Sequence, residues 1–158
     1  MDSAYFSDDT KEFIRLLDKY KVEYLIVGGE AVIYYGYPRL TGDVDFFYSI
    51  DTNNVSLLYR VLMDFWDEDI PGIESEEDLK TPGYVIQFGL PPNRIDIMNS
   101  IEGVFFEEAW ENRKTEYIRS KHQEIPIYYL GLEELIKNKR ETGRKKDMDD
   151  LDYLSKLK

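Results

Sequence analysis

The segment YLIVGGEAVIYYGYPRLTGDVDFFY, residues 24–48, places the strongest constraint on how this chain folds. It contains two short apolar runs, and such runs between turn residues are typical of buried strands. The first run ends at a double glycine, and Pro38 ends the short helix predicted to follow it. The second run carries Asp43 and Asp45, one residue apart. Carboxylates are seldom buried without partners, so a protein that buries this segment must also neutralise the pair.

Helices and strands alternate along the first part of the chain, and helices finish it. This order favours an α/β (or α+β) core followed by a helical part. We expect a single domain over residues 1–158, with a core over about 8–120 and a C-terminal helical part over about 130–157. An acidic loop with a short helical piece is predicted over 67–83. The predicted helices are 7–21, 30–36, 53–66, 132–143 and 145–157, and the predicted strands are 22–27, 43–50, 84–90, 94–101, 115–119 and 125–130.

Composition excludes several kinds of site and partner. The chain has no cysteine and a single histidine, which excludes disulfides, thiolate zinc sites, cysteine nucleophiles and histidine-rich metal sites. His122 lies in a polar stretch and is expected to be solvated. The net charge of −12 repels phosphate backbones on average and disfavours broad nucleic-acid binding. Because the sequence has no apolar stretch of about 18 residues and an acidic, polar N-terminus, we expect a soluble, cytoplasmic protein with no membrane partner.

The triplet Asp-x-Asp occurs four times, so only its context can indicate a function. Residues two apart in a strand face the same way, which places Thr41, Asp43 and Asp45 on one face. Asp96 lies between two isoleucines in another predicted strand and is a third carboxylate on a rigid element. Mg²⁺ prefers such oxygen ligands, and three carboxylates suffice for a two-metal phosphoryl-transfer site. The alternative is an edge strand with solvated acids.

Two further features offer contacts for an anion. Gly28 and Gly29 follow a strand, so the amides of the next helix can approach phosphate oxygens without a Cβ in the way. A plain turn explains the same glycines. The run KNKRETGRKK, residues 137–146, is the obvious basic segment of this acidic chain, and it is either a solvated helix face or a patch that binds RNA or a triphosphate.

Taken together, these motifs resemble those of a known superfamily. VGG followed by RLTGDVDF resembles the signature of the DNA polymerase β-like nucleotidyltransferases: a glycine pair, a helix, R-x-T-x-D-x-D, and a third carboxylate on a later strand. The C-terminal EELIKNKRETGRKKDMDDL resembles the ending of small prokaryotic members, near the AbiEii-type toxin and lincosamide-type antibiotic nucleotidyltransferases. No motif aligns over about 50–93. The C-terminal pattern is matched at Lys139, Arg144, Lys146, Asp147, Asp150 and Leu151.

The resemblance implies a fold and a set of catalytic roles. The fold would be a nucleotidyltransferase-type mixed sheet flanked by helices. Asp43 and Asp45 would bind two Mg²⁺ ions, and Asp96 would bind one of them and help to deprotonate the acceptor hydroxyl. Gly28 and Gly29 would cradle the nucleoside triphosphate.

The resemblance also implies further nucleotide contacts. Arg39 and Lys139 would meet phosphate charge, and Thr41 would support the turn or a phosphate oxygen. Gly29 stands where the commonest form of the motif has serine, so a hydroxyl contact to phosphate is absent at this position.

The function implied is Mg²⁺-dependent transfer of a nucleoside monophosphate from an NTP such as ATP to a hydroxyl acceptor, with release of pyrophosphate. The acceptor can be tRNA or another RNA, a protein or a small molecule, and neither the acceptor nor the preferred base can be read from the sequence. The alternative is a non-catalytic member that binds a nucleotide or a partner protein within a toxin-antitoxin pair. The presence of all three acids argues against this alternative.

Overall fold

The computed structural model describes residues 5–158. Its elements follow the predicted order of alternating helices and strands with helices at the end. They are α1 (Asp8–Lys19), β1 (Tyr24–Val27), α2 (Gly28–Tyr34), β2 (Asp43–Tyr48), α3 (Thr52–Phe65), a 3-10 helix (Glu76–Lys80), β3 (Val85–Phe88), β4 (Arg94–Met98), α4 (Phe106–Glu111), β5 (Lys114–Ser120), β6 (Gln123–Tyr129), α5 (Leu132–Thr142) and α6 (Lys145–Ser155).

The strands form one six-stranded mixed sheet in the order β3-β4-β2-β1-β6-β5. β2 pairs in parallel with β4 and antiparallel with β1, and β1 pairs in parallel with β6. The hairpins β3–β4 and β5–β6 form the two ends of the sheet. The predicted α/β (α+β) fold with a mixed sheet is therefore confirmed. The alternative that placed Asp43 and Asp45 on an edge strand is wrong, because β2 lies between β4 and β1.

Strand β2 alternates between two packed faces of the sheet. Phe46 faces α1, where its ring meets Phe13 edge to face with 5.1 Å between centroids. Phe47 faces the opposite side and meets Phe106 of α4 at 5.2 Å. Because residues two apart share a face, Asp45 lies on the same side of the sheet as Phe47. The acids of β2 are thus held by a strand whose other residues are fixed in the core.

Element boundaries differ from the predicted ones where a local feature sets them. α1 begins after Ser7, whose Oγ accepts a hydrogen bond from the Thr10 amide at 3.2 Å and caps the helix. α2 begins at Gly28, two residues before its predicted start, because Gly28 directly follows the last residue of β1 and turns the chain with a φ of +65°. α4 was not among the predicted elements.

The sheet extends past residue 120, the predicted end of the core, since β6 lies beside β1.

The helices are short. α3 has 14 residues, whereas a helix that spans a bilayer needs about 20. Within residues 5–158, none of the helices has the length and apolarity needed to cross a membrane.

Candidate active site

Three carboxylates meet on one face of the sheet, on neighbouring strands. Asp43 and Asp45 lie on β2 and Asp96 lies on β4, where parallel pairing sets Asp96 beside Asp45. One carboxylate oxygen from each residue lies within 4.8 Å of the other two. Asp96 is buried, and the other two acids are partly exposed to a cleft. The prediction that these acids converge is confirmed, and we call them the acidic triad.

A cation that was not predicted lies against two of these acids. Arg94 begins β4 and pairs with Asp43 in the sheet register. Its Nη2 donates to Asp43 Oδ2 at 2.7 Å and to Asp96 Oδ2 at 3.0 Å, and its Nε donates to Asp96 Oδ1 at 2.8 Å. The sequence carried a signal for this contact, because residues 94 and 96 are two apart in a strand and therefore share a face.

Asp45 has no such counter-ion among the described residues. Its Oδ1 is buried and has no hydrogen-bond partner there. Burial, followed by the charges of Asp43 and Asp96, raises the pKa of Asp45 from 3.8 to about 7, and Arg94 offsets only part of this shift. Since buried polar atoms are nearly always paired, this oxygen marks a position suited to a ligand.

Gly28 and Gly29 are so closely surrounded by other side chains that neither position has room for a Cβ. Gly28 has a φ of +65°, and a Cβ there would overlap Asp45 Oδ2. A Cβ on Gly29 would lie 2.7 Å from Thr41 Oγ1. In this chain Thr41 therefore occupies the space that a side chain at position 29 would need. The Thr41 hydroxyl in turn donates to the Asp43 backbone oxygen at 3.3 Å.

A polar cleft of about 460 Å³ opens over the acidic triad. Its volume lies within the usual range for small-molecule sites. A second cleft of about 410 Å³ adjoins it at Gly28 and Asp45. Every predicted site residue lines the first cleft, and their roles remain predictions. These residues are Gly28, Gly29, Arg39, Thr41, Asp43, Asp45, Asp96 and Lys139, and they are joined by Arg94, Arg144 and Lys146.

The two cations predicted to meet phosphate charge, Arg39 and Lys139, are already paired with acids of α6. Lys139 is 3% exposed, and its Nζ lies 3.0 Å from both Asp147 Oδ1 and Asp150 Oδ2. Arg39 binds the two oxygens of Asp150 through Nε at 3.0 Å and Nη2 at 3.1 Å. Both acids are buried. We call these four residues the buried ion cluster, and within it the charges of Arg39 and Lys139 are largely neutralised.

The basic run 137–146 contributes Lys139 to the buried ion cluster, and it contributes Arg144 and Lys146 to the lining of the cleft. Arg144 donates from Nε to Asp147 Oδ2 at 2.6 Å, while its side chain is 59% exposed and reaches the cleft. Burial would raise the pKa of Asp147, but bonds from Arg144, Thr142 and Lys139 outweigh it and hold that pKa well below its usual value. Arg144 and Lys146 are therefore exposed cations of the run that line the cleft.

Comparison with known protein families indicates the class of reaction to which this protein's family is assigned. The profile of a family described as "Nucleotidyltransferase of unknown function (DUF6036)" matches residues 8–155, a span that contains the acidic triad and the buried ion cluster. The chain belongs to this family. No curated protein matches it. The reaction class of this nucleotidyltransferase family implies an NTP as a substrate.

The remaining candidates lie away from the triad. His122 is exposed in the turn between β5 and β6, as expected. Glu30 was not predicted as notable, yet it is buried beside the double glycine and accepts a hydrogen bond from Tyr5 Oη at 2.8 Å. Burial raises the pKa of Glu30. Its sequence signal was a single acid between the double glycine and the apolar residues AVIYY.

Proposed function

We propose that this protein is a Mg²⁺-dependent nucleotidyltransferase that moves a nucleoside monophosphate from an NTP to a hydroxyl acceptor and releases pyrophosphate. One observation carries the proposal: three strand carboxylates lie within 4.8 Å of one another, and Asp45 contributes a buried oxygen with no partner among residues 5–158. Membership of a nucleotidyltransferase family supports the reaction class. Acids with a purely structural role would be expected to have donors, as Asp147 and Asp150 do.

The side chains present fit a divalent metal. Carboxylate oxygens are hard ligands of the kind that Mg²⁺ prefers, and Asp45 Oδ1 lacks a competing donor among the described residues. We propose that Asp43 and Asp45 hold two ions and that Asp96 holds one of them. When bound, the ions would neutralise charge that develops on the transferred phosphoryl group.

The chain's own groups would bind and orient the nucleotide. The Gly28-Gly29 turn leaves its backbone open to the triphosphate, because neither residue carries a Cβ. Arg144 and Lys146 supply exposed positive charge at the cleft. Arg39 and Lys139 line the same cleft but are bound to the acids of α6, so we propose that they act on the nucleotide mainly by fixing the cleft wall.

The transfer is a single displacement at the α-phosphorus of the NTP. The acceptor oxygen bonds to this phosphorus while the bond to the oxygen that bridges the α- and β-phosphates breaks, and pyrophosphate leaves with that oxygen. The acceptor proton passes towards the Asp96 carboxylate. In phosphoryl transfer, positioning and electrostatic stabilisation supply most of the catalysis, so the rigid placement of Asp96 on β4 is the chain's main contribution to this step.

We also propose a place for the protein among the small prokaryotic enzymes, near the AbiEii and lincosamide types. The C-terminal motif that supports this placement includes Lys139, Asp147 and Asp150, which form ion pairs in the folded chain. We further propose that residues 1–158 act as one nucleotidyltransferase domain. RNA, including tRNA, protein and small hydroxyl compounds are the acceptor classes to be tested.

Incubation with each α-labelled NTP, Mg²⁺ and one acceptor class at a time tests the proposal. We expect label to move to one class with the wild-type protein and with Asp149→Asn, which changes an exposed acid of α6. Asp45→Asn should transfer none. An NTP that binds while its label reaches no acceptor would instead support the non-catalytic, partner-binding alternative.

A further inference from the structure

The guanidinium of Arg94 occupies oxygens that a metal ion at the triad would need. It bonds to both oxygens of Asp96 and to Asp43 Oδ2, with N–O distances of 2.7 to 3.0 Å. These are charge-assisted bonds, and the pair formed with Asp96 uses the planar fork of the guanidinium. Gln87 Nε2 adds a longer contact to Asp96 Oδ2 at 3.3 Å. Two of the three triad acids therefore already share one positive charge of the protein itself.

A divalent cation at the triad would compete with Arg94 for these oxygens. The metal would take lone pairs of the same carboxylates at about 2.1 Å, and the two positive charges would repel each other. The acids cannot easily move away, because β2 and β4 are neighbouring strands inside the sheet. Arg94 can move, since its side chain is long, 31% exposed and part of the cleft lining.

We propose that Arg94 is the counter-ion of the metal-free triad and that a divalent metal displaces it into the cleft, where its guanidinium then faces the phosphates of the nucleotide. The proposal rests on the proposed function, because that function places metal at the triad. In the metal-free protein, Arg94 is a positioning residue: it holds Asp43 and Asp96 side by side against their mutual repulsion. Its release makes metal binding and phosphate binding favour each other.

This exchange predicts that Arg94 weakens metal affinity. A Mn²⁺ titration without nucleotide, followed by calorimetry or electron paramagnetic resonance, compares the wild type with Arg94→Gln. Glutamine keeps a hydrogen-bond donor but removes the charge. We expect Arg94→Gln to bind Mn²⁺ more tightly, on the order of tenfold. The matched control is Arg119→Gln on the edge strand β5, which makes the same change in net charge away from the site and should leave the affinity unchanged.

The outcomes of this titration separate the two proposals. An Arg94→Gln affinity equal to or weaker than that of the wild type would overturn the exchange and leave the proposed function standing. A wild-type protein that binds no Mn²⁺, even with a non-hydrolysable NTP, would overturn both.

A second measurement needs no variant and so does not depend on how well Arg94→Gln folds. Phenylglyoxal modifies accessible guanidinium groups, and mass spectrometry of peptides gives the rate at each arginine. In a buffer without phosphate or sulfate, we expect Mn²⁺ to speed modification of Arg94 severalfold and to leave Arg119 unchanged. A rate at Arg94 that stays the same or falls when Mn²⁺ is added would contradict displacement.

Discussion

The acidic triad and the buried ion cluster use the same side chains in opposite ways. In the buried ion cluster, Asp147 and Asp150 share Lys139 and each also binds an arginine. In the triad, Arg94 pairs with two of the three acids, Asp43 and Asp96. The pKa of Asp147 is held well below its usual value, whereas burial and neighbouring acids raise that of Asp45 to about 7. The number of donors, rather than burial alone, separates Asp45 from the acids of the buried ion cluster.

The difference in pairing indicates which acids stabilise the fold and which are candidate ligands of a metal ion. Breaking a buried, paired cluster is costly, because the remaining partner is left as an uncompensated charge. An under-neutralised cluster costs stability when it is empty and recovers that stability when a cation binds. The acids of α6 therefore fix the C-terminal helices, and the acids of β2 and β4 form the candidate metal site.

The largest expected effect comes from removing the shared cation of the buried ion cluster. Lys139→Met should lower the free energy of unfolding by about 3–5 kcal/mol, because two buried carboxylates lose a partner. Its control, Lys145→Met, changes an exposed residue of the same basic run and should cost at most about 0.5 kcal/mol. Urea denaturation measures both. The family resemblance implied that Lys139 meets phosphate charge, and equal, small losses of stability in the two variants would restore that interpretation.

The two regions should also respond to pH in opposite directions. The folded pKa of Asp45 is raised, so between about pH 4 and 7 the folded state keeps a proton that the unfolded state has lost. Metal-free stability should therefore fall as pH rises through this window, by at most about 4 kcal/mol. The folded pKa of Asp147 is lowered, so its contribution is present above about pH 4 and is lost on acidification. Urea denaturation in EDTA across this range should show a flatter slope for Asp45→Asn, and an unchanged slope would contradict the assignment to Asp45.

A smaller loss of stability is expected when alanine replaces either of two glycines that have the same backbone conformation, and the loss should differ between them. Gly28 beside the triad and Gly143 at the end of α5 have φ values of +65° and +63°. Alanine at either position should cost about 1–2 kcal/mol for the left-handed conformation. Gly28→Ala should cost about 1–3 kcal/mol more, because its Cβ would overlap Asp45, whereas the nearest atom to a Cβ at Gly143 is 3.9 Å away.

Thermal denaturation of the two alanine variants, with and without Mg²⁺, measures this difference. Gly28→Ala should also lose most of the Mg²⁺-induced rise in melting temperature, because Asp45 is displaced. Gly143→Ala should keep that rise. Equal losses of stability, with equal responses to Mg²⁺, would show that the close approach of Gly28 to Asp45 has no consequence.

Strand periodicity explains why much of the acidic triad could be predicted. The alternation in DVDFF places Asp43 and Asp45 together, and the apolar neighbours of Asp96 place it on a strand. Pairing of β2 with β4 could not be read from local patterns, because it joins segments about 50 residues apart in the chain, and only this pairing brings Asp96 beside Asp45. Arg94 was missed although its spacing from Asp96 already placed both on one face.

The buried ion cluster was harder to predict because it depends on how two helices pack. Lys139 lies within a run of basic residues that resembles a solvated face, and its burial follows from contacts between α5 and α6. The spacing of Asp147 and Asp150, three apart on α6, is a helical signal for one shared face. Asp149 and Asp152, which complete the two Asp-x-Asp triplets, are exposed instead. Helical spacing, rather than the triplets, selects the buried acids.

The central claim is that Asp45 Oδ1 has no hydrogen-bond partner among residues 5–158 because it is a metal ligand, and thermal denaturation of Asp45→Asn tests this claim most directly. In EDTA near pH 8 the variant should be more stable than the wild type by about 1–2 kcal/mol, because asparagine removes a buried charge, and this gain should shrink near pH 5, where Asp45 is protonated. Adding Mg²⁺ should raise the melting temperature of the wild type and leave that of Asp45→Asn unchanged. A variant that is less stable than the wild type in EDTA, or one that keeps the full response to Mg²⁺, would contradict the claim.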